Sequence, residues 1–289
     1  MYPATFEYHR PGSVDEAVRL LSTHKDDAKV LAGGHSLVPL MKLRLSSPKH
    51  VIDLRKISGL SGIREDGGAI VIGAMTTYYA IESNASLKTK CPILPESAAQ
   101  IGDPQVRNWG TIGGSIAHAD PAADLPAVVV ALGGEIKATG PKGARTIKVD
   151  DFFKDVMTTA LAPDEVLTEI RLTAPAAGSG MAYLKHPHPA SRFAVVGVAA
   201  IVTVSGGKCQ AASVAITGVG PKASRAKGVE AALQGKALDA ASIAAAAEKA
   251  ADGIQMSADL QGSVEYKQHL TRVYTRRALE AASSRAGGR

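Results

Sequence analysis

A strand that turns on two glycines into a helix is the feature that most constrains the fold of this chain. Residues 29–32 are typical of a short buried strand, Gly33 and Gly34 of a sharp turn, and residues 36–45 of an amphipathic helix. Such a junction directs several backbone N–H groups toward one point, with the positive end of the helix dipole behind them. The stretch therefore predicts a phosphate-binding turn.

A second stretch of the same chemistry lies 80 positions further along, where Gly113 and Gly114 correspond to Gly33 and Gly34. A helix-like segment follows it as well. Brought together, the two loops would hold both phosphates of one dinucleotide from opposite sides. Neither loop fits the G-x-x-x-x-G-K-S/T or the G-x-G-x-x-G phosphate pattern. On the loops alone, two ordinary turns are an equal alternative.

The composition is that of an ordinary globular protein, and it excludes several other classes. The chain is 45% hydrophobic and 21% charged, and no run approaches the roughly 18 to 20 apolar residues of a membrane span. Its N-terminal residues lack the charged-then-apolar form of a signal peptide. We therefore expect no membrane span and a cytoplasmic location.

Cys91 and Cys209 are the only cysteines in the sequence. An iron-sulfur cluster requires about four thiolates, and structural zinc sites commonly use paired cysteines. The eight histidines are scattered and form no H-E-x-x-H motif. The sequence therefore predicts reduced thiols and no metal site, and any redox chemistry would rely on an organic cofactor.

The formal net charge of +6 lies mostly near the C-terminus. From Lys222 onward there are 11 basic and 7 acidic residues, an excess of 4. With one Trp and four Phe, the chain has no interleaving of aromatic and basic residues of the kind that stacks nucleic-acid bases. The basic region indicates a solvated face or a protein partner, and no nucleic acid.

Hydrophobic periodicity and turn signals divide the chain into three regions and predict an α+β fold. Residues 1–55 alternate helix and strand after a capping-box sequence at residues 13–16, and this indicates a small α/β unit with a parallel strand pair. Residues 56–176 carry hairpin signals at residues 65–68 and 140–143, which favour a mostly antiparallel sheet with helices.

The third region follows a segment of small residues, 174–180, which predicts a linker. Region 177–289 begins with a hairpin formed by residues 194–204 and 209–217. The rest of it is predicted to be helical, at residues 223–233, 239–251 and 264–282.

Six motifs occur in the order and at the spacing seen in one known family. They are AGGHS at residues 32–36, VIDL at 51–54, IGAMT at 72–76, GDPQVRNWG at 102–110, TIGG at 111–114 and DPAADLP at 120–126. On these residues the chain resembles the FAD-binding medium subunits of molybdenum hydroxylases, which include aerobic carbon monoxide dehydrogenase and xanthine dehydrogenase. The resemblance covers residues 5–279, nearly the whole chain.

This resemblance implies a PCMH-type FAD-binding domain of two lobes, residues 1–55 and 56–176, with FAD between them. A small C-terminal domain of antiparallel sheet plus helical bundle would follow at residues 177–289. The resemblance further implies that the pyrophosphate is cradled by Ala32, Gly33, Gly34, His35 and Ser36 in one loop and by Thr111, Ile112, Gly113, Gly114 and Ser115 in the other.

Three further positions are assigned by the same resemblance. Asp124 would bond the adenosine or ribityl part of FAD, Leu167 would lie by the adenine, and Lys185 would lie by the isoalloxazine ring, where a positive charge favours the reduced anionic flavin. Asp124 has the alternative of complementing a helix dipole, and Lys185 of being a solvated strand residue. Asp103 and Arg107, in the fourth motif, have the alternative of forming a buried pair that supports their loop.

Some residues depart from the family pattern. Ser115 stands where the family usually has Asn, so a bidentate amide contact becomes a single hydroxyl contact. Residues 185–193 are unusually rich in proline, with Arg192 where many relatives carry Asp, and Phe193 is expected either near the flavin ring or in the core. His35 follows two glycines as in some covalent flavin oxidases, whereas the closer resemblance is to subunits that hold FAD noncovalently.

The resemblance implies an electron-transfer subunit, without catalytic residues of its own, in a molybdenum-dependent hydroxylase or dehydrogenase. Its partners would be a large subunit with the molybdenum cofactor and a small subunit with 2Fe-2S clusters, assembled as a dimer of heterotrimers. Electrons would pass from the clusters to the FAD and then to an external acceptor. One alternative is a self-sufficient FAD-dependent oxidoreductase acting on a small molecule, and another is a non-catalytic nucleotide-binding or assembly module.

Overall fold

Three sheets of three or more strands, together with helices, build the α+β fold of residues 1–286, the part of the chain that a computed structural model describes. The last three residues of region 177–289 lie outside the described residues. Within residues 1–286, no helix is both long and apolar enough to cross a membrane.

The first sheet is parallel and uses the N-terminal part of the chain. Its elements are β1 (Glu7–His9), α1 (Val14–His24), β2 (Ala28–Leu31), α2 (Leu37–Lys42) and β3 (His50–Asp53). The strand order is β1-β3-β2, so the predicted parallel pair is confirmed as β2 with β3. Strand β1 was not predicted. It has three residues, and only one of them is shielded from solvent, so the sequence shows no alternation of apolar and polar residues there.

Helix α1 begins where its capping sequence predicts. Ser13 Oγ accepts the N–H of Glu16 at 3.2 Å, while Glu16 Oε2 accepts the N–H of Gly12 at 2.7 Å. The carboxylate therefore bonds one residue earlier than the capping box requires. The helix packs through the buried side chains of Ala17, Val18 and Leu21.

The second sheet is antiparallel and carries most of the helices that surround the site. Its region contains β4 (Ile63–Asp66), β5 (Ala69–Gly73), α3 (Tyr78–Ser83), α4 (Ala85–Lys90), α5 (Ile93–Ala99), α6 (Pro104–Trp109), α7 (Ile112–His118), α8 (Asp124–Leu132), β6 (Gly134–Gly140), β7 (Gly143–Lys148), α9 (Val149–Phe152), β8 (Phe153–Asp155), β9 (Thr158–Thr159) and β10 (Val166–Thr173). The order is β4-β5-β10-β6-β7, with β8 and β9 paired separately. Both predicted hairpins, β4-β5 and β6-β7, are confirmed.

The short helices α4 and α6 were not predicted. Each has six residues, too few for a helical period to show in the sequence. Asp103 caps α6 by accepting the N–H of Val106 at 2.8 Å. Arg107 Nε instead binds Glu82 Oε2 at 2.7 Å. The alternative pairing of Asp103 with Arg107 is therefore wrong.

The third sheet is an antiparallel meander with helices packed against it. Its elements are β11 (Ser179–Pro187), β12 (Ala194–Ser205), β13 (Lys208–Thr217), β14 (Ser224–Arg225), α10 (Lys227–Leu233), α11 (Ala240–Ala247) and α12 (Val264–Arg285). The β12-β13 hairpin was predicted, but β11 was not, because it begins inside the expected linker. A Cβ atom on Gly180 would overlap the carbonyl oxygen of Ala282 in α12. The small residue thus permits close packing at this position.

The second and third sheets share a core through α8, all of whose residues are buried. This helix contacts β12 and β13, and one apolar cluster contains Ile72, Leu125, Tyr183 and Ala215. Ser213 in β13 donates to the carbonyl oxygen of Ala131 at 2.5 Å. Residues of the third sheet therefore help to hold α8 in place.

Candidate functional site

A cavity of about 600 Å³ lies where the turn after β2, the start of α7, the start of α8 and the loop before β12 meet. This volume is typical of small-molecule sites. Most of the residues assigned to the cofactor line it: Ala32, Gly33, Gly34, His35, Ser36, Thr111, Gly113, Gly114, Ser115, Asp124 and Leu167. The other two assigned residues, Ile112 and Lys185, are buried within the protein.

The first loop offers free backbone donors. Within residues 1–286, the N–H groups of residues 33–36 have no hydrogen-bond acceptor in the protein. Gly34 turns the chain with a φ of 78°, and Ser36 starts α2 without using its side chain as a cap. Because α2 ends at Lys42, short of the predicted residue 45, its dipole is small. The loop therefore supplies mainly its N–H groups and the Ser36 hydroxyl.

The second loop is hydrogen-bonded to itself and to its neighbours. Thr111 Oγ1 accepts the N–H of Gly114 at 3.1 Å. The N–H groups of Ile112 and Gly113 donate at 3.0 and 2.9 Å to carbonyl oxygens in the segment after β5. The two loops are therefore not the symmetric pair of donor turns that the sequence indicated. The second loop provides a firm wall and the Ser115 hydroxyl.

The two loops lie in direct contact, and glycine makes that contact possible. A Cβ atom on Gly33 would overlap the carbonyl oxygen of Trp109 and lie 2.8 Å from Gly110 Cα. A Cβ atom on Gly113 would lie 2.5 Å from both Cβ and O of Ala74. Gly33 therefore leaves room for the backbone just before the second loop, and Gly113 leaves room for the segment after β5.

Asp124 and Lys185 form a buried ion pair beside the cavity. Lys185 Nζ lies 3.0 Å from Asp124 Oδ2 and also donates to the carbonyl oxygens of Gln100 and Arg192, at 2.8 and 2.7 Å. The Tyr183 hydroxyl donates to Asp124 Oδ1 at 2.5 Å. All three ammonium donors are used by the protein, which leaves none for the flavin contact assigned to Lys185 by the family resemblance.

Burial dominates the electrostatics of this group. It raises the pKa of the Asp124 carboxyl and lowers the pKa of the Lys185 ammonium, because each charge loses hydration, while the attraction between them opposes both shifts. Burial also raises the pKa of Tyr183 well above its ordinary value. The three side chains therefore stabilise one another only as a complete set.

Part of the cavity wall has no clear signal in the sequence. Tyr78 lines the cavity, and burial raises its pKa to about 12, so its hydroxyl stays neutral.

The proline-rich segment forms a closed turn. In it, the N–H of Arg192 donates to His188 O at 2.9 Å, and the N–H of His188 donates to Phe193 O at 2.8 Å. Phe193 lines the cavity and is 42% exposed, so its alternative role in the core is wrong.

The third sheet holds the loop that leads into α8. Thr217 Oγ1 donates to the carbonyl oxygens of Pro121 and Ala123, at 2.7 and 2.9 Å, and the N–H of Gly218 also donates to Pro121 O, at 2.8 Å. These contacts fix the backbone directly before Asp124. The position of the carboxylate thus depends on residues about a hundred positions away along the chain.

The arrangement suits an extended anionic ligand. Free N–H groups, two serine hydroxyls and the basic side chains Lys25, Lys29 and Arg192 line one cavity, together with the acidic side chains Asp26, Asp120, Asp124 and Glu165. Since these side-chain charges oppose one another, the anion-binding character comes from the converging backbone donors, which are a usual means by which proteins bind phosphates. The residues present therefore fit the pyrophosphate of a dinucleotide cofactor such as FAD.

Comparison with known families supports the same interpretation. The family described as FAD binding domain in molybdopterin dehydrogenase matches residues 4–175. The family described as CO dehydrogenase flavoprotein C-terminal domain matches residues 181–282. Together these two matches cover nearly all of the chain.

Individual relatives are similar to this chain in sequence and fold over nearly their full length. The carbon monoxide dehydrogenase medium chain of Afipia carboxidovorans is 43% identical over 99% of each chain. A chain of carbon monoxide dehydrogenase from Hydrogenophaga pseudoflava superposes with a TM-score of 0.96 at 45% identity, over 99% of this chain and 100% of that one. A chain of quinoline 2-oxidoreductase from Pseudomonas putida superposes with a TM-score of 0.92 at 33% identity, over 98% and 99%. The chain therefore belongs to the FAD-binding medium chains of the molybdopterin dehydrogenases, a family of oxidoreductase subunits.

Proposed function

We propose that this chain is the FAD-containing electron-transfer subunit of a heteromeric molybdenum-dependent hydroxylase or dehydrogenase. Residues 1–55 and 56–176 are the two lobes of its FAD domain, and residues 177–289 form the C-terminal domain. The observation that carries the proposal is the direct contact of two glycine loops beside one cavity in a chain of this family. FAD, when bound, supplies redox chemistry in one- and two-electron steps.

The residues of the two loops have different tasks in this proposal. The N–H groups of residues 33–36 bind the pyrophosphate, and Ala32 packs behind them at the end of the strand. Thr111, Ile112, Gly113 and Gly114 hold the opposite wall, since their own donors are largely used within the protein. Ser115 adds one hydroxyl to that wall, and the buried side chain of Leu167 offers an apolar surface to the adenine.

Asp124 and Lys185 serve the same site, and Lys185 acts through Asp124. The carboxylate of Asp124 lines the cavity and retains acceptor capacity for the adenosine or ribityl hydroxyls. Lys185 is a positioning residue, because it bonds both that carboxylate and the carbonyl oxygen of Arg192. The pair thus joins α8 to the turn that carries Arg192 and Phe193.

The partners in this proposal are a large subunit with the molybdenum cofactor and a small subunit with 2Fe-2S clusters, arranged as a dimer of heterotrimers in the cytoplasm. Electrons reach the FAD from the clusters and leave to an external acceptor. Both cysteines of this chain are buried and free, which agrees with clusters held elsewhere. Val38, Leu43 and Trp109 are exposed apolar residues around the glycine turn, as is common at interfaces.

Native mass spectrometry of the tagged chain, purified gently from its own host, tests the proposal. We expect a complex that contains this chain, one large partner, one small partner and FAD. For a dimer of heterotrimers, the measured mass should be that of two copies of each component. The substrate is then sought at the large partner, since relatives of this chain serve enzymes for compounds as different as carbon monoxide and quinoline. A lone chain or homo-oligomer that carries FAD and turns over a small molecule by itself would overturn it.

We further propose that the FAD is held without a covalent bond to His35. This side chain is exposed at the turn, and the N–H donors and walls described above hold the cofactor without it. Acid denaturation is expected to release all of the flavin into the supernatant, and His35→Gln is expected to retain FAD at nearly the wild-type ratio. Flavin that stays with the precipitated wild-type chain, but not with His35→Gln, would contradict this.

A further inference from the structure

Three histidines that are far apart in the sequence meet beside the first sheet, outside the cavity. They are His9 at the end of β1, His24 at the end of α1 and His50 at the start of β3. One ring nitrogen from each lies within 4.8 Å of the other two. None of the three lines the cofactor cavity. The proposed function therefore does not explain this cluster.

The fold brings the three rings together through the parallel sheet. His50 pairs in register with both Glu7 and Ala28, the first residues of β1 and β2. Helix α1 ends at His24, four positions before Ala28, so its last turn lies close to the start of β3. The rings of His24 and His50 have centroids 3.6 Å apart, and those of His9 and His50 lie 5.3 Å apart.

The separation of the nitrogens suits a shared metal ion. His9 Nε2 and His50 Nδ1 are 3.1 Å apart. Two ligand nitrogens on one tetrahedral zinc ion, each at about 2.0–2.1 Å, lie roughly 3.3–3.4 Å apart. The His24 ring is stacked on that of His50, so it must rotate out of the stack before its nitrogen can point at the same ion. A hydrogen bond between the two rings accounts for the 3.1 Å distance equally well, but not for the third histidine.

Glu7 offers a fourth ligand of the required type. Its Oε2 lies 3.4 Å from His50 Nδ1 and 3.9 Å from His9 Nε2. The side chains of His9 and His50 are 23% and 16% exposed, whereas that of Glu7 is 73% exposed. A metal ion would thus reach the site from the solvent-exposed side of Glu7 and bind the three partly buried imidazole rings. Imidazole and carboxylate ligands in tetrahedral geometry are typical of zinc.

We propose that His9, His24 and His50, with Glu7 or a water molecule as the fourth ligand, form a zinc site on the N-terminal lobe. The site joins β1, α1 and β3, and so it stabilises the small sheet whose β2 strand leads into the glycine turn. It has no part in electron transfer, because zinc has no redox chemistry. The loss of this site would therefore leave the proposed function intact.

The test uses the full chain with its FAD and any partners that remain attached. Equilibrium dialysis against Zn²⁺ followed by elemental analysis is expected to find one more zinc ion per chain in the wild type than in His50→Gln or His24→Gln. His269→Gln, which removes an exposed histidine from α12, is the matched control and is expected to keep the ion. Affinity should fall by at least about tenfold in the first two variants, as it does even when only a residue supporting a zinc ligand is lost.

Two further readouts separate metal binding from a folding defect. Zn²⁺ is expected to raise the Tm of the wild type and of His269→Gln but not of His50→Gln, while flavin content stays equal in all of them. Co²⁺ in place of Zn²⁺ should give the visible bands of a four-coordinate site. A wild type that binds no more Zn²⁺ than His50→Gln, or a Tm that Zn²⁺ leaves unchanged, would overturn the zinc site and show a metal-free imidazole stack.

Discussion

Replacing Gly33 by valine is expected to abolish retention of FAD, and Gly113→Val is expected to do the same. At position 33 the new side chain would overlap the carbonyl oxygen of Trp109, and at position 113 it would meet Ala74. The obstructing atoms include backbone, which cannot rotate aside, so Gly33→Val must push the two loops apart and Gly113→Val must push the second loop away from the segment after β5. Overpacking of this kind costs about 1–3 kcal/mol, which corresponds to FAD binding weaker by about 5- to 160-fold when the bound state bears this cost.

The ratio of visible flavin absorbance to protein, measured after gel filtration, reports this loss. Gly12→Val is the matched control, because a Cβ atom there meets only Glu16 Oε2 at 3.8 Å. We expect the control to keep its flavin and both loop variants to lose it while they remain folded by circular dichroism. Normal flavin content in Gly33→Val or Gly113→Val would refute the placement of the cofactor between these loops.

Lys185→Met is expected to have the largest effect on stability. The change removes the cation that faces the buried carboxylate of Asp124. Breaking a buried pair on one side costs about 3–5 kcal/mol, because the remaining charge has neither water nor a partner. Urea denaturation measures the free energy of unfolding, and Lys185→Met/Asp124→Asn is expected to recover most of the loss. A double variant no more stable than the single one would show that the lysine acts through packing alone.

The pH dependence of this loss has a definite sign. Burial already raises the pKa of Asp124, and without Lys185 that pKa rises further, since the attraction that lowered it is gone. An acid with a raised pKa in the folded state destabilises the fold at high pH and ceases to do so once it is protonated. The difference in the free energy of unfolding between Lys185→Met and the wild type should therefore decrease as the pH falls toward 3.8, the ordinary pKa of this carboxyl group.

A second buried lysine provides the control for Lys185. Lys267 Nζ lies 2.6 Å from Asp259 Oδ2, but the side chain of Asp259 is 46% exposed. After Lys267→Met, water can still solvate that carboxylate, so we expect a smaller loss of stability. This loss should also shrink toward acidic pH, because Lys267 helps to lower the pKa of Asp259 in the folded state. An equal loss in both variants would mean that burial of the carboxylate does not set the effect.

Local signals in the sequence were sufficient for much of the fold. The Ser13 cap, the Gly33-Gly34 turn and the β4-β5, β6-β7 and β12-β13 hairpins are each determined by residues within a few positions of one another. Six ordered motifs also identified the family, and through it the loops that line the cavity. Strand β1, strand β11 and the short helices could not be predicted from the sequence, because their stability comes from neighbours that are distant in sequence and not from their own pattern.

The sequence by itself therefore determined the α+β class, the family, the FAD-binding character of the chain and the loops at its site. Only the tertiary structure decided what the individual side chains do there. It showed that the donors of the second loop are already used, that Gly33 makes room for backbone, and that Lys185 is held by Asp124 and two carbonyl oxygens. The physical reason is that hydrogen-bond partners and close contacts join residues dozens of positions apart, and their pairing depends on how the sheets pack.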